Sequence, residues 1–181
     1  GNLARMMANR EALFANLQRM VKGALALGLP IVWAEQLPDK LGPTIPEIAA
    51  LLPEHRPIPK CTFSCGGNDE LMAAIKATGR KQVLLTGIET HICVYQTAVD
   101  MVKRGFEVEV IADAVGSRIA GNRDIGLQKM RAAGAAIGCT EGALFELMRT
   151  AEHPAFPRRE DPRAREREGA EAGTVRAIDE G

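Results

Sequence analysis

One cysteine follows a strand-like segment at the spacing expected of a catalytic nucleophile. Residues 83–85 form a short apolar run, Gly87 ends it, and Cys93 lies six positions beyond that glycine, where a helix is expected to begin. The start of a helix presents unpaired backbone N–H groups and the positive end of the helix dipole. We therefore expect a lowered pKa for this thiol, which favours the nucleophilic thiolate. The alternative is a buried structural thiol at a helix start.

The remaining cysteines and the neighbouring histidine do not match known metal or disulfide spacings. The sequence predicts that Cys61, Cys65 and Cys139 are free thiols that behave as small buried hydrophobic residues. His91 and Cys93 form a His-x-Cys pair without further ligands at zinc-site spacing, so no metal site is predicted. A dinucleotide-binding Gly-x-Gly-x-x-Gly motif is not found after the strand, and no cofactor is predicted.

Strand-like and helical patterns alternate along the chain, and this alternation is typical of an α/β fold. Parallel strands covered by helices on both faces explain the mostly apolar strand patterns. The predicted helices span residues 10–27, 46–52, 68–78, 90–104, 122–133 and 140–150, and the predicted strands span 31–34, 57–60, 82–86, 106–112 and 135–139.

Three polar segments follow predicted strands and are expected to meet at one edge of the sheet. They are residues 87–93, residues 113–118 and the pair Glu35 and Gln36. In open α/β sheets, binding sites lie at the carboxyl ends of the strands. The sequence therefore places a candidate site where these three segments converge.

Composition excludes several classes of partner. The 181 residues are 46% hydrophobic, and 23 basic residues balance 23 acidic ones, so we expect one globular domain over residues 1–156. Zero net charge and 4% aromatic residues argue against nucleic-acid binding. With no apolar run of about 20 residues and no signal peptide pattern, we expect no membrane association and a cytoplasmic location. Residues 157–181 are predicted to be a charged C-terminal tail.

Four segments together resemble the isochorismatase-like cysteine hydrolases, in particular the small isochorismatase-domain proteins. They are residues 87–94 (GIETHICV), 113–118 (DAVGSR), 60–64 (KCTFS) and 34–38 (AEQLP). The resemblance covers about residues 1–156 and implies a three-layer α/β/α sandwich. Its mostly parallel, Rossmann-like sheet would have the strand order 3-2-1-4-5-6.

The resemblance also implies the residues of an active site. Cys93 would be the nucleophile and Lys60 the lysine of an Asp–Lys–Cys triad. A cis peptide bond would join Ile88 to Glu89, and the backbone N–H groups of Glu89 and Cys93 would bind an oxyanion. The residues named as pocket candidates are Glu35, Gln36, Phe63 and Arg118.

The aspartate of that triad has no match in this sequence. In the family it ends the first strand, within an Asp-x-Gln segment, and that strand lies between those predicted here at residues 31–34 and 82–86. A gap in the middle of a parallel sheet would leave backbone groups of both neighbours unpaired. We therefore expect the strand to be supplied from upstream of Gly1. The alternative is that another segment fills the gap and the protein is catalytically inactive.

Taken together, the sequence predicts a cysteine hydrolase that acts on a small C–N amide-like or related bond. The resemblance implies a small-molecule substrate and a homo-oligomer. Because no histidine is near Glu35 and Gln36, a metal-dependent nicotinamidase is disfavoured. The competing prediction is an inactive family member that serves as an oligomeric binding or scaffold protein.

Overall fold

Helices alternate with parallel strands throughout the part of the chain that the structure describes. The computed structural model describes residues 1–156, so the predicted tail at 157–181 lies outside the described residues. The helices are α1 (Arg10–Ala26), α2 (Pro38–Leu41), α3 (Pro46–Ala49), α4 (Asp69–Ala77), α5 (Tyr95–Lys103), α6 (Ala120–Ala132) and α7 (Thr140–Met148). The strands are β1 (Ala34–Gln36), β2 (Ile58–Lys60), β3 (Gln82–Ile88), β4 (Glu107–Gly116) and β5 (Ala136–Gly138).

The strands form two parallel sheets. β1 pairs with β2 in one, and the other has the order β3-β4-β5. In the strand order 3-2-1-4-5-6 that the resemblance implies, β1 and β2 correspond to strands 2 and 3. In the same order, β3, β4 and β5 correspond to strands 4, 5 and 6. Within residues 1–156, no strand joins β1 to β3. The α/β class is confirmed, and each of these two strands has one edge without a strand partner in the described part of the chain.

Helices cover both faces of β4, whose side chains divide between two cores. Val108, Val110 and Val115 belong to a cluster on the face covered by α5 and α6. Ile111 and Ala114 belong to a cluster on the opposite face, covered by α1 and α7. Alternation along a strand explains this division on each side of an irregularity in the β3–β4 pairing between Leu85 and Gly87. The pairing moves on by three residues of β4 there, and this odd number reverses the alternation. The sheet therefore lies between two helical layers.

Of the strand boundaries that differ from the predicted ones, two place polar residues within a strand rather than after it. The first strand was expected at residues 31–34 but spans Ala34–Gln36, because its ladder is set by the pairing of Ala34 with Ile58. β2 contributes only three residues to this ladder, and Pro57 and Pro59 lack the N–H that a longer ladder needs. Asp113 was expected after a strand but lies within β4, because pairing resumes beyond the irregularity and joins Ile88 to Gly116.

Two cysteines also differ from expectation, and one of them begins α7. Cys61 and Cys139 are exposed rather than buried, although all four cysteines are free as predicted. The N-cap of α7 is Cys139, whose sulfur accepts the N–H of Gly142 at 3.4 Å. The N–H and the hydroxyl of Thr140 both donate to Asp113 Oδ1 at 2.8 Å. Asp113 therefore joins β4 to the start of α7.

Among the described helices, none combines the length and the apolar composition needed to cross a bilayer.

Candidate active site

Cys93 lies in a wide turn of helix that begins directly after β3. Residues Thr90–Val94 form a π-helical turn, closed by the N–H of Val94 donating to the carbonyl of Glu89 at 3.2 Å, and α5 continues from it. The peptide bond between Ile88 and Glu89 is cis, at the position that the resemblance names. The Cys93 side chain is partly buried. The turn thus places the thiol at the carboxyl end of β3, at the edge of the sheet where a site is expected.

The electrostatic surroundings of Cys93 differ from those predicted from its place at a helix start. Burial raises the pKa of the Cys93 thiol above its ordinary value. The Lys60 ammonium and a hydrogen bond from the Glu89 backbone oppose this rise, whereas Cys65 and the Glu89 carboxylate add to it. The prediction of a lowered pKa was wrong, because desolvation of the thiolate outweighs the nearby positive charge. In the described site, Cys93 is mainly a protonated thiol at neutral pH.

Lys60 ends β2 and directs a buried ammonium toward this region. Only 7% of the residue is exposed, and Nζ donates to Gln36 Oε1, to the Thr62 carbonyl at 2.9 Å and to the Phe63 carbonyl at 2.8 Å. An ammonium has three N–H donors, so these three oxygens satisfy all of them. The charge of Lys60 is thus held by neutral acceptors, and it is the leading influence that lowers the pKa of Cys93.

Gln36 and Glu35 occupy neighbouring positions on β1 but have different partners. Gln36 lies opposite Lys60 in the β1–β2 ladder, and its Nε2 donates to the Cys61 carbonyl at 2.9 Å. The buried Glu35 accepts the backbone N–H of Thr44 at 2.6 Å. Successive side chains on a strand point to opposite faces. The structure therefore brings Gln36 to Lys60, whereas Glu35 holds the loop that precedes α3.

Glu89 and Arg118 form an ion pair beside the turn that carries Cys93. Glu89 is 4% exposed, and its Oε1 accepts a hydrogen bond from Arg118 Nε, while the arginine side chain is about half exposed at 49%. Glu89 Oε2 lies 3.4 Å from His91 Nδ1, which is 3.0 Å from the hydroxyl of the buried Ser117. This network joins the carboxyl ends of β3 and β4.

Phe63 contacts Lys60 through its backbone carbonyl. This carbonyl accepts a hydrogen bond from the Lys60 ammonium, and the residue as a whole is 55% exposed. The sequence prediction did not identify the carbonyl acceptors or the contact between Cys65 and α5, in which the Cys65 N–H donates to Thr97 Oγ1 at 3.0 Å. Thr62 and Ser64 mark a polar turn, since the Thr62 hydroxyl donates to the Ser64 carbonyl at 2.8 Å. The hydroxyl residues Thr62 and Ser64 were the one sequence feature that could have predicted a turn here, and this turn brings backbone carbonyls to the Lys60 ammonium.

No three side chains of the types His, Cys, Asp and Glu come together as a potential metal cluster within residues 1–156. Within the described residues, the titratable groups that act on Cys93 are Lys60, Cys65 and Glu89, with no aspartate among them. Asp113 is engaged by Thr140 at the start of α7.

Comparison with known proteins identifies the family. Residues 2–142 match the family model described as "Isochorismatase domain". The chain belongs to this isochorismatase family. Isochorismatase domain-containing protein 1 of Danio rerio is 39% identical over 139 residues, covering 77% of this chain and 49% of that protein. Isochorismatase domain-containing protein 2A of Mus musculus is 41% identical over 143 residues, covering 76% of this chain and 66% of that protein. The chain thus spans about half to two thirds of the length of these relatives.

Solved structures share the isochorismatase-like fold. The MAR1 ribonuclease of Caenorhabditis elegans has a TM-score of 0.80 at 32% identity, over 86% of this chain and 80% of that one. YcaC of Pseudomonas aeruginosa, solved with hexane-2,5-diol and covalent acrylamide, has a TM-score of 0.73 at 29% identity, over 77% and 70%. YcaC of Escherichia coli, described as an octameric hydrolase of unknown specificity, has a TM-score of 0.73 at 25% identity, over 89% and 83%.

Proposed function

We propose that this protein is a hydrolase that cleaves a small C–N amide-like or related bond through a covalent intermediate on Cys93. One observation carries the proposal: a partly exposed cysteine lies at the carboxyl end of β3, within the field of the buried Lys60 ammonium. Membership of the isochorismatase family and the description of the Escherichia coli neighbour as a hydrolase support the reaction class. No cofactor is needed for this chemistry.

In the proposed reaction, the sulfur of Cys93 attacks the carbonyl carbon and forms a tetrahedral intermediate. The carbonyl electron pair moves to oxygen, and the backbone N–H groups of Glu89 and Cys93 stabilise this oxyanion by roughly 3 kcal/mol each. Collapse of the intermediate breaks the C–N bond, and the leaving amine takes a proton. Water then hydrolyses the thioester to a carboxylic acid and returns the thiol. The sum of the steps is amide plus water giving acid plus amine.

The raised pKa of Cys93 requires a base that accepts the thiol proton. Glu89 is poorly suited to this task, because Arg118 engages its Oε1 and Oε2 lies near His91. We propose instead that an aspartate on a strand between β1 and β3 takes the proton, as the resemblance implies. The unpaired strand edges in the described part of the sheet support such a neighbour.

A panel of small amides tests the function, with release of the amine as the readout. We expect hydrolysis by the wild type for at least one compound and a loss of about a thousandfold in Cys93→Ser. Cys139→Ser is the matched control, because serine is also a good N-cap and preserves the cap of α7. Retained activity in Cys93→Ser would disprove the mechanism. No turnover and no Cys93 adduct with any compound would favour the binding or scaffold alternative.

RNA cleavage is a second candidate function, favoured by the name of the Caenorhabditis elegans neighbour. The zero net charge of this chain argues against strong phosphate binding. Incubation with end-labelled single-stranded RNA tests it. Cleavage that disappears in Cys93→Ser would favour this candidate, whereas intact RNA under conditions of amide turnover would exclude it.

We also propose a homo-oligomer, supported by the octameric Escherichia coli neighbour. Light scattering coupled to size exclusion tests this state, with an expected mass that is a multiple of the 19.5 kDa chain. A mass of one chain at all concentrations would contradict it.

A further inference from the structure

We propose that Gln36 is a positioning residue that holds the Lys60 ammonium beside Cys93 without adding a negative charge of its own. This inference rests on the proposed function, in which the thiolate of Cys93 is the nucleophile. It gives Gln36 a role that acts through Lys60 and requires no contact between Gln36 and the substrate.

The contacts of Lys60 define what Gln36 contributes. Of the three oxygens that accept its N–H groups, two are backbone carbonyls of the turn that follows β2, at residues Thr62 and Phe63. The third is Oε1 of Gln36, which approaches from β1. The two carbonyls belong to the same chain segment as Lys60. Gln36 is therefore the acceptor that fixes the ammonium relative to a different strand.

Gln36 is itself held at both ends of its amide group. Its Nε2 donates to the Cys61 carbonyl at 2.9 Å while its Oε1 accepts from Lys60, so each end of the amide has a partner of the right kind. Rotation of the amide by half a turn would place its NH₂ group against the ammonium. Nearby, the backbone N–H of Leu37 donates to the Lys60 carbonyl at 3.0 Å and fixes the two strand ends together. The amide is therefore preorganised to receive the ammonium.

The neutrality of Gln36 matters because of the groups that surround the Cys93 thiol. The titratable groups that act on it are Lys60 after β2, Cys65 in the Cys65–Gly67 turn and Glu89 before α5. Of these, only the Lys60 ammonium favours the thiolate, and Glu89 already has its own cation in Arg118. A carboxylate at position 36 would pair with the ammonium and cancel much of its field at Cys93. A neutral amide orients the ammonium without this cost.

The test compares the charge variant Gln36→Glu, which keeps the shape of the side chain, with Gln36→Met, which removes the acceptor. Iodoacetamide is the probe, and the rate of Cys93 alkylation is followed by peptide mass spectrometry between about pH 6 and pH 10. Alkylation of the exposed Cys139 in the same sample is the internal standard. Gln128→Glu, an equal change of charge at an exposed position of α6, is the matched control.

We expect Gln36→Glu to move the Cys93 profile about one unit to higher pH, a roughly tenfold slower alkylation at neutral pH. Gln36→Met should slow it by about twofold to fivefold, because the ammonium keeps its charge but loses its cross-strand acceptor. Gln128→Glu should match the wild type. The inference is overturned if Gln36→Glu and the wild type share one profile, or if both variants shift it equally.

The outcome is separable from that of the proposed function. If the wild type hydrolyses amides through Cys93 and Gln36→Glu leaves the profile unchanged, only the role of Gln36 is disproved. If Gln36→Glu shifts the profile but no acyl group ever forms on Cys93, only the hydrolase proposal is disproved. A thermal unfolding scan of each variant shows whether it is folded. If Gln36→Glu is unfolded, the alkylation rate of Cys93 in Gln36→Met tests the role of Gln36, and a rate equal to that of the wild type would disprove it.

Discussion

Two oppositely charged and buried groups, the Lys60 ammonium and the Glu89 carboxylate, act on the thiol of Cys93. Lys60 favours the thiolate, whereas Glu89 and burial of the thiol both oppose it, and burial is the largest of these influences. Because the pKa is raised, the protonated thiol predominates at neutral pH, and the thiolate fraction grows about tenfold per pH unit below that pKa. The reactivity of this cysteine therefore depends on the contribution of Lys60.

Replacing Lys60 with methionine tests this dependence. We expect Lys60→Met to slow the alkylation of Cys93 by about tenfold at neutral pH, because loss of the ammonium raises the thiol pKa further. The rate is measured against that of Cys139 in the same protein. Lys76→Met, at an exposed position in the last turn of α4, is the control and should leave the rate unchanged. Equal rates in Lys60→Met and the wild type would show that the ammonium has no influence.

The ion pair of Glu89 with Arg118 should stabilise the end of β3. We expect Arg118→Met to lower the free energy of unfolding by about 1–3 kcal/mol, because Glu89 is left buried without its main hydrogen-bond donor. Adding Glu89→Gln should restore part of the loss by removing the unpaired charge. Urea unfolding measures both variants, with Arg80→Met at an exposed position as the control. If the single variant is as stable as the wild type, the pair contributes nothing.

At the residue scale, sequence patterns predicted which residues lie in the candidate site but not how their charges and burial set the pKa of Cys93. The resemblance named Cys93, Lys60 and the Ile88–Glu89 bond, and the structure places all of them at the carboxyl ends of β2 and β3. The predicted direction of the Cys93 pKa shift was wrong, because desolvation depends on packing from several elements, which no local sequence pattern reveals. The role of the Thr62 and Phe63 carbonyls was likewise hidden, since backbone acceptors carry no residue-type signal.

At the scale of elements, β4 connects the two helical layers. Its side chains alternate between the core under α5 and α6 and the core under α1 and α7. Hydrophobic periodicity predicted the long helices well, and α1 spans Arg10–Ala26 against a predicted 10–27. Short strands were less predictable, because their ends depend on which partner completes the ladder, as at Ala34 and Ile58.

Truncating Ile111 tests the importance of the core under α1 and α7. This residue is fully buried on β4, so we expect Ile111→Ala to lower the free energy of unfolding by about 2–5 kcal/mol through lost contacts and a residual cavity. The control is Ile125→Ala on α6, where the side chain is 54% exposed and the change should stay within about 0.5 kcal/mol. Chemical denaturation of both variants provides the comparison, and equal losses would contradict the assigned packing.

At the scale of the whole molecule, the described strands divide into two sheets. β4 has strand partners on both sides, whereas β1 and β3 each have one, with no connecting strand in residues 1–156. The resemblance assigns a further strand to the position between β1 and β3. Unpaired strand edges are unfavourable unless another segment covers them.

Hydrogen exchange tests whether strands with one strand partner are less protected than β4, which has two. For the 181-residue chain, we expect the amides of β4 to exchange slowest, while the β1 amides and the β3 amides that point away from β4 exchange at least about a hundredfold faster. The slow amides of β4 serve as the internal reference for global unfolding. Equal protection of β3 and β4 would show that another segment already pairs with the edge of β3 that has no strand partner within residues 1–156.

The central claim is that Cys93 forms the covalent intermediate, and trapping that intermediate tests it most directly. The activated ester p-nitrophenyl acetate is mixed with the wild type, with Cys93→Ser and with Cys139→Ser, and acid-quenched samples are analysed by peptide mass spectrometry. We predict a burst of nitrophenol equal to the protein concentration and an acetyl group on Cys93, in the wild type and in Cys139→Ser alone. An undiminished burst in Cys93→Ser, or acetylation confined to other cysteines, would contradict the account.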